Sequence, residues 1–154
     1  MANFNQAFKR VFTPGVKDKY GESLKQLPFQ NYEFQRSRQC WNSMRQLGFT
    51  NSEFLTYIRS SLCEEVWRAI AGNKINYQPL AESMFLFALV NGSDHCIYLL
   101  NSTLKVEGGQ DLAEGAIEKA NGFNGDELLV LFGMAKVIYY DLSSRYLSVQ
   151  GNNV

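Results

Sequence analysis

The stretch LAESMFLFALV, from Leu80 to Val90, constrains the fold more than any other part of the sequence. It is apolar almost all the way round a helix, a pattern typical of a helix that the rest of the protein surrounds. Pro79 suits the first turn of such a helix, and Asn91-Gly92 suits its end. We therefore expect the other elements to pack around one buried central helix.

The segments on either side repeat their apolar residues every three or four positions, as helices do. Glu53 follows Thr50 by three residues, and Glu127 follows Asn124 by three, which is the spacing of helix-capping pairs. Helices are predicted from Phe4 to Phe12, from about Asn31 to Leu47, from Thr50 to Gly72, from a cap at Ser93 or Asp94, from about Asp111 to Asn121, and from Asn124 onward. No stretch alternates convincingly like a strand, although a small hairpin between the first two helices is left open. The prediction is a single all-α domain of six or seven helices.

Composition limits the classes of function that the chain fits. Its 154 residues are 45% apolar, and 15 basic side chains balance 15 acidic ones, so its charge gives no reason to expect a nucleic acid or an anionic membrane as partner. It has neither a signal-peptide pattern nor an apolar run near the ~18–20 residues of a membrane span. Cys40, Cys63 and Cys96 are too widely spaced for a disulfide framework or a metal knuckle. Reduced thiols and a cytoplasmic location are the expectation, without a cofactor.

Asp94, His95 and Cys96 are the residue types of a thiol–imidazole site. Consecutive residues of a helix point in different directions, however, so these three cannot line up as nucleophile, base and orienting group. A helix cap, a surface histidine and a core cysteine are the interpretation we favour. No metal site is predicted, because His95 is the only histidine in the chain.

Glu64 and Glu65 lie beside Trp67 in the sequence CEEVW. A carboxylate held against an aromatic ring can act as a general acid. Two adjacent glutamates on a helix more often form a solvated face, which is the interpretation we favour here. Gly108 and Gly109 lack the spacing of a phosphate-binding loop and indicate a turn.

An ordered series of motifs begins at Trp67 and continues through the run Met84 to Gly92, then Leu99-Leu100, Glu107-Gly108-Gly109, and Lys136 with Tyr139-Tyr140. This order resembles glycoside hydrolase family 108 and its associated peptidoglycan-binding region, which are lysozyme-like proteins of phages and bacteria. In that family a tryptophan-bearing helix precedes a central L-F-D-x-A-V-N-x-G helix, a D-G-x-x-G loop and a helix with R-x-x-Y-Y. The opening ANFNQAF is also similar to the family's first helix. The resemblance implies one lysozyme-like helical domain over 1–154, divergent over 1–48 and family-like over 50–148.

The family's activity is hydrolysis of peptidoglycan glycan strands by a glutamate in an E-G-G-Y motif just after the first helix. Aligning GVKDKYG with that motif puts Lys17 where the glutamate belongs, and a lysine does not donate a proton to a glycosidic oxygen at neutral pH unless its pKa falls by several units. Leu86 and Val90 stand where the family has an aspartate and an asparagine. The resemblance therefore implies a scaffold that has lost most of its cleft chemistry.

The hypothesis that follows is a non-catalytic protein that binds a host or phage protein. Its candidate binding residues are Lys17, Lys19, Tyr20, Glu22 and Tyr140. Peptidoglycan is the alternative ligand. A second hypothesis is an active muramidase or endolysin, with Glu22, Glu64 or Glu65 as a displaced acid. A third is a structural phage protein, which a stable ring or a large exposed apolar face would favour.

Overall fold

The computed structural model describes residues 1–12, 43, 44 and 46–151. Its α-helices are α1 (Phe4–Phe12), α2 (Asn51–Leu62), α3 (Gln78–Asn91), α4 (Ser93–Leu104), α5 (Ala116–Gly122) and α6 (Gly125–Gly151). A π-helical turn (Cys63–Trp67) and a 3-10 turn (Gly72–Lys74) connect α2 to α3. These ranges contain no strand, so the all-α prediction is confirmed for the part described. Most of the helix predicted from Asn31 to Leu47, and the hairpin left open before it, lie outside the described residues.

Helix α3 is the buried centre, as its composition predicts. Pro79 lies in its first turn, and α1, α4 and α6 all pack against it. Eight of its 14 side chains are shielded from water, namely Leu80, Ala81, Met84, Phe85, Leu86, Phe87, Ala88 and Leu89. Burial of large apolar side chains on all sides of one helix supplies the main drive for the other helices to pack around it.

Aromatic rings join α1 to this centre. The ring of Phe4 lies 5.7 Å from the ring of Trp67 and 5.7 Å from that of Phe85, and it meets Phe85 edge-on. Trp67 and Phe85 also pack edge-to-face at 5.7 Å. Edge-to-face pairs place the positive edge of one ring on the negative face of the next. The predicted first helix is thus confirmed, and its apolar face is part of the core.

The segment predicted as one helix from Thr50 to Gly72 changes its helical type part-way. Its start is confirmed, because the Thr50 side chain accepts a hydrogen bond from the Glu53 amide while Glu53 bonds back to the Thr50 amide. The α-helical pattern ends at Leu62, and the Arg68 amide then donates to the Cys63 carbonyl at 3.2 Å, closing a wider turn. Val66 and Trp67 enter the core from that turn.

A single glycine connects α3 to α4. Gly92 has a φ of 103°, which strains any residue with a Cβ, and it follows α3 and precedes α4. Helix α4 begins at Ser93, and neither Ser93 nor Asp94 caps it through a side chain. The prediction of a side-chain cap is therefore wrong, because Gly92, which has no side chain, occupies the N-cap position and Ser93 and Asp94 lie inside the helix.

The helix predicted from about Asp111 to Asn121 begins later than expected. It was predicted from Asp111, but α5 starts at Ala116 after Gly115, whose φ is 73°. The reason is Asn101, a buried side chain of α4 that donates hydrogen bonds to the Gly109 and Asp111 carbonyls at 3.2 and 2.7 Å. Those bonds hold the backbone around Asp111 in a loop, so it is not free to join a helix.

Candidate binding surface

The first candidate binding residues from the sequence, Lys17, Lys19, Tyr20 and Glu22, lie outside the described residues. Glu22 is also the first candidate acid. The remaining sequence candidates, Glu64, Glu65 and Tyr140, lie in the described part of the chain.

Glu64 and Glu65 both lie exposed on the π-helical turn. Glu64 forms an ion pair with Arg68 one turn later, and the two side chains keep 53% and 65% of their surface in water. Trp67 turns away from both, since it is buried against Phe4 and Phe85. An acid catalyst on a glycoside needs a site that excludes water. The arrangement is instead that of a solvated, surface ion pair.

Tyr140, the remaining candidate binding residue, is half-buried. Its hydroxyl accepts a hydrogen bond from the Asn91 side chain at 2.9 Å, and its ring lies 5.9 Å from the ring of Phe87. It thereby joins the end of α3 to α6. A residue held in this way contributes to packing between helices and has little surface left for a partner.

The surface histidine and the core cysteine that the sequence analysis favours in the GSDHC segment are confirmed, whereas its side-chain cap is not. His95 is exposed, with its Nδ1 atom 3.3 Å from the Tyr139 hydroxyl, whereas Cys96 is fully buried with its thiol 3.4 Å from the Met84 carbonyl. Burial raises the pKa of the Cys96 thiol, and the charge of the buried Lys136 opposes this to a smaller extent. The thiol is therefore protonated at neutral pH, so it is a poor nucleophile.

A partly open cleft of about 230 Å³ lies between the end of α5, the start of α6 and the loop before α3. The Tyr77 hydroxyl donates to Asp126 there, and this hydrogen bond, with burial and the Asp126 charge, raises the pKa of Tyr77. The Asn121 side chain accepts from the Asn76 amide at 2.9 Å and donates to the Lys74 carbonyl at 2.9 Å. These polar groups already bind one another, so the cleft offers a ligand few directed contacts.

The largest exposed apolar feature of the described residues lies on α6. We define its outer face as the six side chains Val130, Leu131, Met134, Val137, Ile138 and Leu142. Each keeps between 41% and 59% of its surface in water. They recur at three- and four-residue steps, so they form one stripe along about three turns of the helix.

The opposite side of α6 packs into the core. Leu128 and Phe132 are buried there, and Tyr139 stacks edge-on against Phe87 with ring centres 5.2 Å apart. The helix is thus apolar on two sides, of which the core covers one. A surface helix of a soluble protein normally carries polar residues on its outer side, so this side is suited to binding another apolar surface.

The outer face contains no acid, base or nucleophile, and the thioether of Met134 is its only side-chain heteroatom group. Among the described residues as a whole, no three His, Cys, Asp or Glu side chains come together as a metal site would require. Within that same part of the chain, no helix is long and apolar enough to cross a membrane. The chemistry available at the outer face is burial of apolar surface.

Sequence reasoning missed this face because it treated α6 only as a core helix. The available signal was that apolar residues occupy both sides of the segment from Leu128 to Leu142, as in α3. A helix of that kind is either buried on all sides or lacks a partner on one side. Sequence alone does not distinguish these cases.

Comparison of the chain with profiles of protein families, with curated proteins and with solved structures finds no match. The resemblance to glycoside hydrolase family 108 therefore stays a prediction. What the fold and the site define is an all-α protein, over the described residues, with an exposed apolar face on its last helix.

Proposed function

We propose that this chain is a non-catalytic binding protein, built on a lysozyme-like scaffold, that acts as a component of a protein assembly. The outer face of α6 is its docking surface. The observation that carries the proposal is the exposure of six large apolar side chains on one stripe of a helix whose other side is in the core.

The composition of that stripe supports binding to protein. Scattered apolar residues are normal on a protein surface, whereas a contiguous stripe is typical of an interaction site. Twelve large apolar side chains of the described residues are exposed, and six of them belong to this stripe. A helix face of this kind pairs with an apolar groove or with another helix face.

The placement of Glu64 and Glu65 supports a role without catalysis. Glu64 and Glu65 are exposed, and Glu64 is paired with Arg68. The resemblance supports the same conclusion independently, because Lys17 stands at the family's catalytic glutamate. Lysozyme-like identity and phage or bacterial origin remain part of the proposal and depend on that resemblance.

Photo-crosslinking in a cell that expresses the full chain tests the docking surface. A benzophenone amino acid replaces Ile138 in one variant and Leu47 in a matched control, since Leu47 is 77% exposed but lies outside α6. We expect a discrete protein–protein product from position 138 and none from position 47, because only the first lies within the docking surface. Equal yields from both positions, or no product from position 138, would contradict the proposal.

A turbidity assay on permeabilised Gram-negative cells tests the absence of catalysis. We expect the wild-type protein and the Glu22→Gln variant to leave the turbidity unchanged. Glu64 and Glu65 are exposed to water, and the nearly buried Glu82 is held in an ion pair with Arg10. Lysis by the wild type that disappears in Glu22→Gln would replace this proposal with the active muramidase.

A further inference from the structure

Five of the six side chains of the outer face of α6 are spaced symmetrically about Met134. Counting outward from Met134, Val130 and Ile138 lie four residues away on either side, and Leu131 and Val137 lie three residues away. A two-fold interface brings the same surface of both copies together, so each side must be complementary to itself. The part of the stripe from Val130 to Ile138 meets this requirement when two helices run antiparallel. Leu142, eight residues after Met134, has no apolar counterpart, because Asp126 lies eight residues before it.

We propose that the occupant of the outer face is a second copy of this chain, with the two α6 helices antiparallel and crossing near Met134. This rests on the proposed function and names its partner. Val130 of one copy then packs near Ile138 of the other, and Leu131 near Val137. Antiparallel helices with side chains interlocked in this way pack at about 8–10 Å between their axes.

The exposed apolar area suits a dimer. The six side chains each keep 41–59% of their surface in water, which makes a patch on the order of several hundred Å². A standard interface needs about 800 Å² from each partner, so the stripe would form the apolar centre and its flanking residues the rim.

The flanking charges set the salt dependence of this pairing. Glu127 lies seven residues before Met134 and the exposed Asp141 seven residues after it, so the antiparallel arrangement places Glu127 of one copy opposite Asp141 of the other. Like charges at an exposed rim repel weakly and are screened by salt. Added salt is therefore expected to strengthen the dimer.

Sedimentation equilibrium of the purified full chain tests the proposal. We expect a dimer at micromolar concentration, and a dissociation constant at least ~100-fold higher in Met134→Glu, since each dimer would then bury two charges among apolar side chains. Leu47→Glu, an equal change at an exposed site outside α6, should leave the constant unchanged. Met134 is 56% exposed, so circular dichroism should show that the variant folds. A wild-type chain that stays monomeric at ~100 µM, or equal effects of the two variants, would overturn the dimer.

Cysteine crosslinking tests the antiparallel arrangement. In a chain whose Cys40 and Cys63 are replaced by serine, Met134→Cys should form a covalent dimer on oxidation, because position 134 meets itself at the two-fold axis. Val130→Cys alone should not, whereas Val130→Cys mixed with Ile138→Cys should. Self-crosslinking at all three positions indicates parallel helices and overturns the arrangement.

Failure of this inference can be distinguished from failure of the proposed function. If the chain is monomeric but the benzophenone at position 138 joins it to a different protein, the second copy is excluded and the docking surface stands. If the benzophenone at position 138 crosslinks neither to a second copy of the chain nor to a different protein, both proposals are overturned.

Discussion

Replacing Phe87 by alanine is expected to lower the free energy of unfolding by about 3–5 kcal/mol, the usual loss for a fully buried aromatic residue. Phe87 is entirely shielded from water in α3. Its ring lies 6.3 Å from that of Phe132, 5.2 Å from that of Tyr139 and 5.9 Å from that of Tyr140. The substitution would remove the ring that joins the central helix to α6 and leave a cavity that the surrounding helices can fill only in part.

Urea unfolding followed by circular dichroism measures this change. Phe123→Ala is the matched control, since Phe123 is 37% exposed and lies outside the buried core. We expect this control to lower the free energy of unfolding by well under half as much. Both variants should be compared with the wild type at one protein concentration, because dimerisation stabilises the folded state. Equal losses from the two substitutions would show that the α3–α6 contact is not the main element of the core.

Replacing Gly72 by alanine is expected to lower the free energy of unfolding by about 1–3 kcal/mol through overpacking. A Cβ atom at this position would lie 2.4–2.6 Å from three ring atoms of Trp67, well inside the distance at which atoms repel. The ring cannot move away easily, because it is 2% exposed and packs against Phe4 and Phe85. The strain therefore falls on the aromatic cluster that holds α1.

Gly122→Ala is the control for this second prediction. Gly122 ends α5, and a Cβ there meets nothing within 4 Å. We expect no loss, or a gain of up to ~1 kcal/mol, because alanine restricts the unfolded chain more than glycine does. Thermal unfolding measures the stability of both variants. A Gly72→Ala protein as stable as Gly122→Ala would show that the Trp67 ring has room to shift.

Local sequence signals predicted most of the helices and failed where distant side chains intervene. The Thr50–Glu53 capping box and the Asn124 cap, whose side chain accepts from the Glu127 amide at 3.2 Å, are confirmed because each involves residues within one turn. The start of α5 was predicted wrongly because Asn101, in another helix, holds the preceding loop. The half-burial of Tyr140 could not be predicted locally, because its hydrogen-bond partner, Asn91, lies on α3.

The candidate site could not be predicted from the sequence in the same way. Glu64 and Glu65 were correctly favoured as a solvated face, since adjacent carboxylates need no tertiary contact to stay in water. The outer face of α6 was missed, because its residues are the same types that form a core. Whether such residues are buried depends on what lies opposite them.

The sequence by itself determined that this protein is helical, that Leu80 to Val90 forms its buried centre, and where several helices begin. Those properties follow from periodicity, composition and capping within a few residues. Only the tertiary structure decided which side of α6 the core covers, since the helix is apolar on both sides and α3 and α4 pack against just one. Burial depends on neighbours distant in the chain, and for this reason the exposed stripe around Met134 is a property of the fold.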